Sequence, residues 1–321
     1  MMNDAIRAFP AQFLYEPEII GNLEPTKYNR FIIAGMGGSH LAADLLQETR
    51  ADLNIRIYSD YGLPPINAED SEKTLVILSS YSGNSVETLS VGVAALAQRV
   101  NMAAVAVGGK LLEFARANNI PYIELPNTGV QPRSAAGFSL RALMKLVGAE
   151  EDLSVSRKVS NIDDTELEKQ GQGLAQKLQG KVPVVYTATA HRSIAYNWKI
   201  KFNETAKIPA FYNVIPELNH NEMNGFDLID STKALSDKFA FVFLFSESDH
   251  EQNKKRFEVL EKLYTARNLP VHKVWLTGST VYEKAVRALM LADWTAVYLA
   301  DFYGTEAEKV PMVEEFKKLI A

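Results

Sequence analysis

The chain contains no cysteine. That excludes a disulfide framework and a thiolate metal site. No apolar run is long enough to span a bilayer, and the opening residues MMNDAIRAFPAQF lack a cationic stretch followed by an apolar core. Positive charge is not in excess either: 34 lysines and arginines against 39 acidic residues leave a formal net charge of −5. Nucleic acid and anionic membranes are therefore poor partners. Histidine is sparse, and the five present are dispersed, with no paired spacing such as H-E-x-x-H, so no metal or other cofactor is expected. A soluble cytoplasmic protein is the resulting expectation.

What is present is length and apolar content. At 321 residues and 47% hydrophobic, the chain fits two domains of common size, each with a sizeable core. Short apolar runs at 31–34 and 75–78 read as buried strands, the latter on both faces, and 55–58, 102–107 and 122–125 as further strands, with helical spacing at 41–47, 86–98 and 111–117 between several of them. Alternating strand and helix indicates a mainly parallel sheet flanked by helices. A helix from Arg133 to Leu146 follows, then a polar, acidic stretch at 150–167 that marks a boundary, giving domains 1–152 and 153–321. The α/β pattern restarts with strands at 182–186 (weakened by Pro183), 239–245 and 271–276, and helices at 193–206, 251–267 and 281–302. Residues 208–232 read as a long irregular insertion, too long for a simple connection and so functional.

The densest polar signal lies at 74–93, TLVILSSYSGNSVETLSVGV. A buried strand runs into Ser80, Ser82 and Ser85, and helical spacing begins at Val86, with Asn84 and Glu87 spaced as a capping box. A helix start offers free N–H groups and the positive end of the dipole, which suits an anion. One serine caps a helix; three around one opening point to phosphate. GMGGSH at 35–40 tempts toward a dinucleotide fingerprint, with Asp60 as the ribose ligand, but His40 stands where the third glycine belongs. The alternative is that Gly37 and Gly38 let a sugar approach the backbone while Ser39 donates to it. Arg133 at a helix start is disfavoured by the dipole; either an anion or plain solvent accounts for it. Glu204, near the end of a helix in FNETAK, and His220, a loop histidine between two asparagines, are each open to a surface reading by themselves.

SYSGNSVET resembles the phosphate-binding loop of sugar isomerase (SIS) domains. Taken with GMGGS, QPRSAAGFSL, WKIKFNETAK, ELNHNEMNGF and Asp293-Trp294, in order along nearly the whole chain, it resembles the bifunctional phosphoglucose/phosphomannose isomerase family. The resemblance implies two SIS-type α/β domains and a metal-independent aldose–ketose isomerase acting on glucose 6-phosphate and mannose 6-phosphate. It further implies Ser39, Ser80, Ser82 and Ser85 as the phosphate ligands, Arg133 beside an enediolate, and Glu204 as the proton-carrying base, provided partial burial raises its pKa. His220, contributed across a homodimer interface, and a terminal lysine, Lys317 or else Lys318, assist ring opening. Two positions depart from the family's pattern: Asn197 stands where arginine is common and Ser85 where threonine is usual. A non-catalytic phosphosugar-binding protein would keep the serine loop but has no need of Glu204, His220 and Lys317 together. A glutamine-dependent amidating relative would need an N-terminal cysteine.

Overall fold

The computed structural model describes residues 2–320. The chain forms two compact units, one of residues Ala8–Asn161 and one of Ile162–Ala321 together with Met1–Arg7. No helix among the described residues is long and apolar enough to cross a membrane.

A short helix, α1 (Met2–Ala8), opens the chain and packs into the unit formed by its far end. Met2 and Ile6 are buried, and the Arg7 guanidinium lies 2.9 Å from Glu168 and stacks over the Trp294 ring at 5.0 Å. The next unit alternates β1 (Arg30–Ala34), α2 (Gly38–Thr49), β2 (Asn54–Tyr58), β3 (Thr74–Ser79), α3 (Val86–Ala97), β4 (Met102–Ala106), α4 (Gly109–Ala117) and β5 (Tyr122–Glu124), then α5 (Ala136–Leu146) and α6 (Glu150–Ser156). All strand pairs are parallel, in the order β2-β1-β3-β4-β5. The apolar runs in β1, β3 and β4 are buried on both faces, as a sheet sandwiched between helix layers requires.

The division between the units falls after Asn161, whereas the composition shift placed it at 152/153, inside α6. The polar stretch is largely helical. Glu150, Glu151 and Asp152 occupy the first turn of α6, where the dipole favours them. Asp152 there accepts from the Arg50 guanidinium at 2.6 Å, tying the segment back to its own unit.

The second unit follows with α7 (Thr165–Leu178), β6 (Val182–Ala188), α8 (Arg192–Lys201), β7 (Phe211–Ile215), β8 (Phe239–Phe245), α9 (Glu251–Thr265), β9 (Val271–Trp275), α10 (Val281–Tyr303) and α11 (Pro311–Ile320). Its sheet is again parallel, in the order β7-β6-β8-β9. Residues 208–232 are thus not a wholly irregular insertion: they contain β7, half-exposed and edged by Pro209 and Pro216, before passing into 3-10 turns at Glu217–His220 and Glu222–Phe226. Pro183 does not weaken β6. Val182 N–H bonds toward Lys238, so the missing Pro183 N–H faces the other side, where β7 begins only opposite Val184. Phe241, Phe243, Phe257 and Tyr264 fill the core between this sheet and α9. Gly171 of α7 meets α10 so closely that a Cβ there would lie 2.5 Å from Trp294 Cβ.

Candidate functional site

In an open parallel sheet, ligands bind beyond the carboxyl ends of the strands, at the point where the strand order reverses. In the N-terminal unit that point lies between β1 and β3. The Gly-rich turn 35–37 leaves β1 there and the serine loop 80–85 leaves β3. Close packing brings in a third segment: a Cβ on Gly38 would lie 2.9 Å from the Pro132 carbonyl carbon and 3.0 Å from Arg133 N. GMGGS, the serine loop and Gln131-Pro132-Arg133 therefore meet in one place, although residues 40–79 and 86–130 separate each from the next.

The four serines differ in burial. Ser39 is 5% exposed and its hydroxyl accepts the Tyr81 N–H at 2.8 Å, which ties the Gly-rich turn to the serine loop. Ser80 is 1% exposed, with its hydroxyl 3.0 Å from that of Ser85. Ser82 is exposed and Ser85 half-buried, so these two stand at the opening. Gly83, at φ +72°, permits the turn between them; a Cβ there would fall 1.8 Å from Gly108 O. The loop is pressed against the turn after β4.

No capping box forms. The N-cap of α3 is Ser85 and no side chain caps it; Asn84 instead donates to Ser82 O and accepts from Lys110 N–H. The first turn of α3 thus begins at the opening with its amides untaken by side chains. Arg133 lies in a 3-10 turn, Pro132–Ser134, just before α5 rather than in a helix, and at 2% exposure it is not a solvent-facing arginine. His40 has a local explanation: its Nδ1 lies 2.8 Å from Asp44 Oδ2, one turn on along α2. Asp60 accepts the N–H of Tyr61 within its own turn.

In the second unit, Glu204 sits in a π-helical turn, Phe202–Ala206, that widens the end of α8 and stops at Lys207 in the left-handed region. Such turns recur at functional sites. Glu204 is half-buried. Three residues earlier, Lys201 reaches Asp293 of α10 at 2.6 Å, both side chains buried. The residue reading missed this pair although both members lie in motifs already singled out. Asn197 is fully buried and donates to Ser193 O, one turn back.

The LNHNE segment is held at both sides of His220. Leu218 is buried in the phenylalanine-rich core, and Glu222 accepts from the hydroxyl of Tyr186 and from the Asn213 amide. Burial, with Tyr264 and Glu222 adding to it, pushes the Tyr186 phenol far above its ordinary pKa, so it remains a donor. His220 itself is exposed. Lys317 and Lys318 lie on α11, where every described residue is exposed. Neither the His220 nor the Lys317 side chain has a hydrogen bond or ion pair among the described residues. Glycine turn, serine loop and Arg133 thus come together in the first unit, and Glu204, His220 and Lys317 belong to the second.

A model of the bacterial phospho-glucose isomerase C-terminal SIS domain matches residues 167–320. A bifunctional phosphoglucose/phosphomannose isomerase of Aquifex aeolicus is 31% identical over 318 residues, covering 98% of this chain and 96% of that one. A D-glucosamine-6-phosphate 4-epimerase of Sulfolobus acidocaldarius is 33% identical over 196 residues, covering 59% of this chain and 61% of its own. Among solved structures, the C-terminal domain of glucosamine-fructose-6-phosphate aminotransferase from Francisella tularensis matches with a TM-score of 0.68 at 15% identity, covering 96% of each chain. At that identity the likeness speaks for the fold alone.

Proposed function

The chain belongs to the bifunctional phosphoglucose/phosphomannose isomerase family, and on that premise we propose that it interconverts glucose 6-phosphate and mannose 6-phosphate with fructose 6-phosphate. The convergence of the glycine turn, the serine loop and Arg133 at the sheet's reversal point carries this assignment. A phosphate is held there by Ser39, Ser80, Ser82 and Ser85 together with the first amides of α3. A hydroxyl has one proton and two lone pairs, so Ser39, which accepts from Tyr81, still has a proton to give to a phosphate oxygen. Gly37 and Gly38 leave the sugar room against the backbone.

The phosphate supplies binding energy remote from the reacting carbons and orients them. His220 and Lys317 serve ring opening, one proton leaving the C1 hydroxyl as another reaches the ring oxygen. Glu204 then takes the proton from C2 of the open aldose and returns it to C1. The intermediate carries negative charge on oxygen, which the Arg133 guanidinium stabilises without exchanging a proton, while the remaining hydroxyl proton passes from O2 to O1 to leave the ketone at C2. Removal of the C2 proton from either epimer gives the same enediolate; that proton lies on opposite faces of C2 in the two sugars, so one base serves both when the open chain turns about its C2–C3 bond. The working form is a homodimer in which His220 acts in the partner subunit's site. Support comes from the wide turn bearing Glu204 and from the two-sided anchoring of the His220 segment.

The deciding experiment supplies purified protein, with a chelator present, with glucose 6-phosphate and mannose 6-phosphate in turn and measures fructose 6-phosphate. Both should be converted. Binding of either sugar phosphate without turnover would leave only a phosphosugar-binding protein. Epimerisation of glucosamine 6-phosphate in place of both conversions would move the activity to the chemistry of the Sulfolobus relative.

A further inference from the structure

The second sheet ends on an unpaired strand. β9 pairs with β8 alone. Phe241 N–H bonds to Pro270 O, and Leu276 N–H bonds to Phe245 O. Strand groups alternate in direction, so the N–H and C=O of Val271, Lys273 and Trp275 point away from β8. No described residue takes them. The N-terminal sheet treats its corresponding edge differently: Ile20 and Tyr122 of β5 exchange N–H to carbonyl bonds of 2.8 and 3.0 Å, which closes that margin.

A cleft of about 530 Å³ runs along β9 between α7 and α10. All five residues of β9 line it, which side chains from one face of a strand cannot do; the edge of the backbone forms its wall. Leu174 and Leu291 give an apolar floor. Lys177 of α7 and Arg287 of α10 flank it, and neither forms an ion pair among the described residues. His272 Nε2 is buried there without a hydrogen-bond partner, and burial and the nearby Lys177 hold the imidazole below its ordinary pKa. A chain of net charge −5 does not owe a cationic cleft to its composition. Lysines on an edge strand itself often serve to repel other strands. Here Lys273, the lysine on the strand, is paired with Glu261 at 3.0 Å, and the other two cations stand on the flanking helices, Lys177 outside any ion pair and Arg287 one turn along α10 from Glu283, whose carboxyl it helps to hold low. They frame the edge without blocking it.

We propose that the β9 edge is a docking site for an extended acidic peptide segment of a partner protein, which adds to the sheet as a fifth strand with its carboxylates toward Lys177 and Arg287. Edge addition of this kind draws affinity from main-chain hydrogen bonds and selectivity from alternate side chains. Val271–Trp275 offers a strand of roughly 16 Å at about 3.3 Å per residue, enough for five or six residues of partner. A second copy offering its own β9 would set Lys177 and Arg287 against their counterparts, so charge selects a different, acidic occupant.

The test uses the full chain and a blocked hexapeptide of alternating valine and glutamate. Controls are the valine–lysine equivalent and the acidic peptide N-methylated on alternate backbone nitrogens. Amide exchange at Val271, Lys273 and Trp275 should slow at least tenfold with the acidic peptide. Both controls should bind at least tenfold more weakly, as should the acidic peptide to K177A/R287A protein whose thermal midpoint is unchanged. Equal binding of the N-methylated peptide, or unaltered exchange at β9, would overturn strand addition. The same protection from free glutamate or inorganic phosphate would reduce the cleft to a small-anion site and overturn the peptide. Protection that rises with protein concentration alone would assign the edge to a second copy and likewise defeat the proposal.

Discussion

Lys201 Nζ lies 2.6 Å from Asp293 Oδ2, with both side chains almost completely removed from solvent. The pair joins α8 to α10 three residues before Glu204, at the point where the helix widens. Two charges out of water hold each other only in good geometry, and removal of one partner leaves the other stranded. The pair therefore ties α8 to α10 just ahead of the wide turn.

Lys201→Met and Asp293→Asn should each destabilise the protein by about 3–5 kcal/mol, while Lys201→Met combined with Asp293→Leu should cost far less than the two singles together. Urea unfolding measures both. Singles that unfold like the parent would show that the pair is not what ties the helices.

For Glu204→Gln, which keeps shape and hydrogen bonding, turnover should fall at least about a hundredfold, the low end for a positioned proton carrier. KM should change little, and exchange of the C2 proton with deuterated solvent should cease along with turnover. Near-parental isomerisation and exchange would clear Glu204 of the role.

Ser82→Ala and Ser85→Ala should each raise KM roughly ten- to hundredfold, the value of about 1.5–3 kcal/mol for a hydrogen bond to a charged group. A crystal soaked in sulfate should hold the anion against both hydroxyls. An anion that avoids the loop, with both variants binding sugar phosphate normally, would move the phosphate site elsewhere.

The shared-site arrangement has a mixing test. Glu204→Gln and His220→Ala proteins are each expected to be nearly inactive, yet co-refolded in equal amounts they should recover about a quarter of parental activity. Half the dimers are then mixed, and each mixed dimer has one intact site of its two. Sedimentation should find the dimer. No recovery from a confirmed mixed dimer would mean that His220 serves its own chain.

Alkaline stability should report Tyr186. Its folded pKa is raised by burial, so the folded state keeps a proton that the unfolded state releases above about pH 10. The stabilisation is complete below that pH and is lost as pH rises, at up to about 1.4 kcal/mol per pH unit for one proton. Tyr186→Phe should flatten the stability profile above about pH 10. An unchanged slope would assign the alkaline loss to other groups.

Much of the architecture was legible in the residues because β1, β3, β4 and β8 are buried on both faces, which demands unbroken apolar runs. β7 was not, because Phe211 through Val214 are only partly covered and two prolines bracket the strand. The serine loop could be read as a phosphate candidate, since hydroxyl density survives without coordinates. The division of the four serines into buried Ser39 and Ser80 and accessible Ser82 and Ser85 could not, because that depends on Gly83 and Gly38 pressing against segments distant in sequence. The Lys201–Asp293 pair was hidden for the same reason: a lysine and an aspartate 92 residues apart carry no mark of burial until two helices are packed together.

The segment of residues 2–7 that packs on Glu168 and Trp294 is made well before the unit it completes. Ala8–Asn161 must be translated in between, a delay on the order of ten seconds or more at about 5–20 residues per second. The intervening unit can acquire its fold during that interval, whereas the later one must retrieve a strand of chain already outside the ribosome. A bulky fusion attached ahead of Met2 would therefore burden the late-folding half of the protein, and its effect would surface in refolding yield around Trp294 rather than in the phosphate loop it precedes.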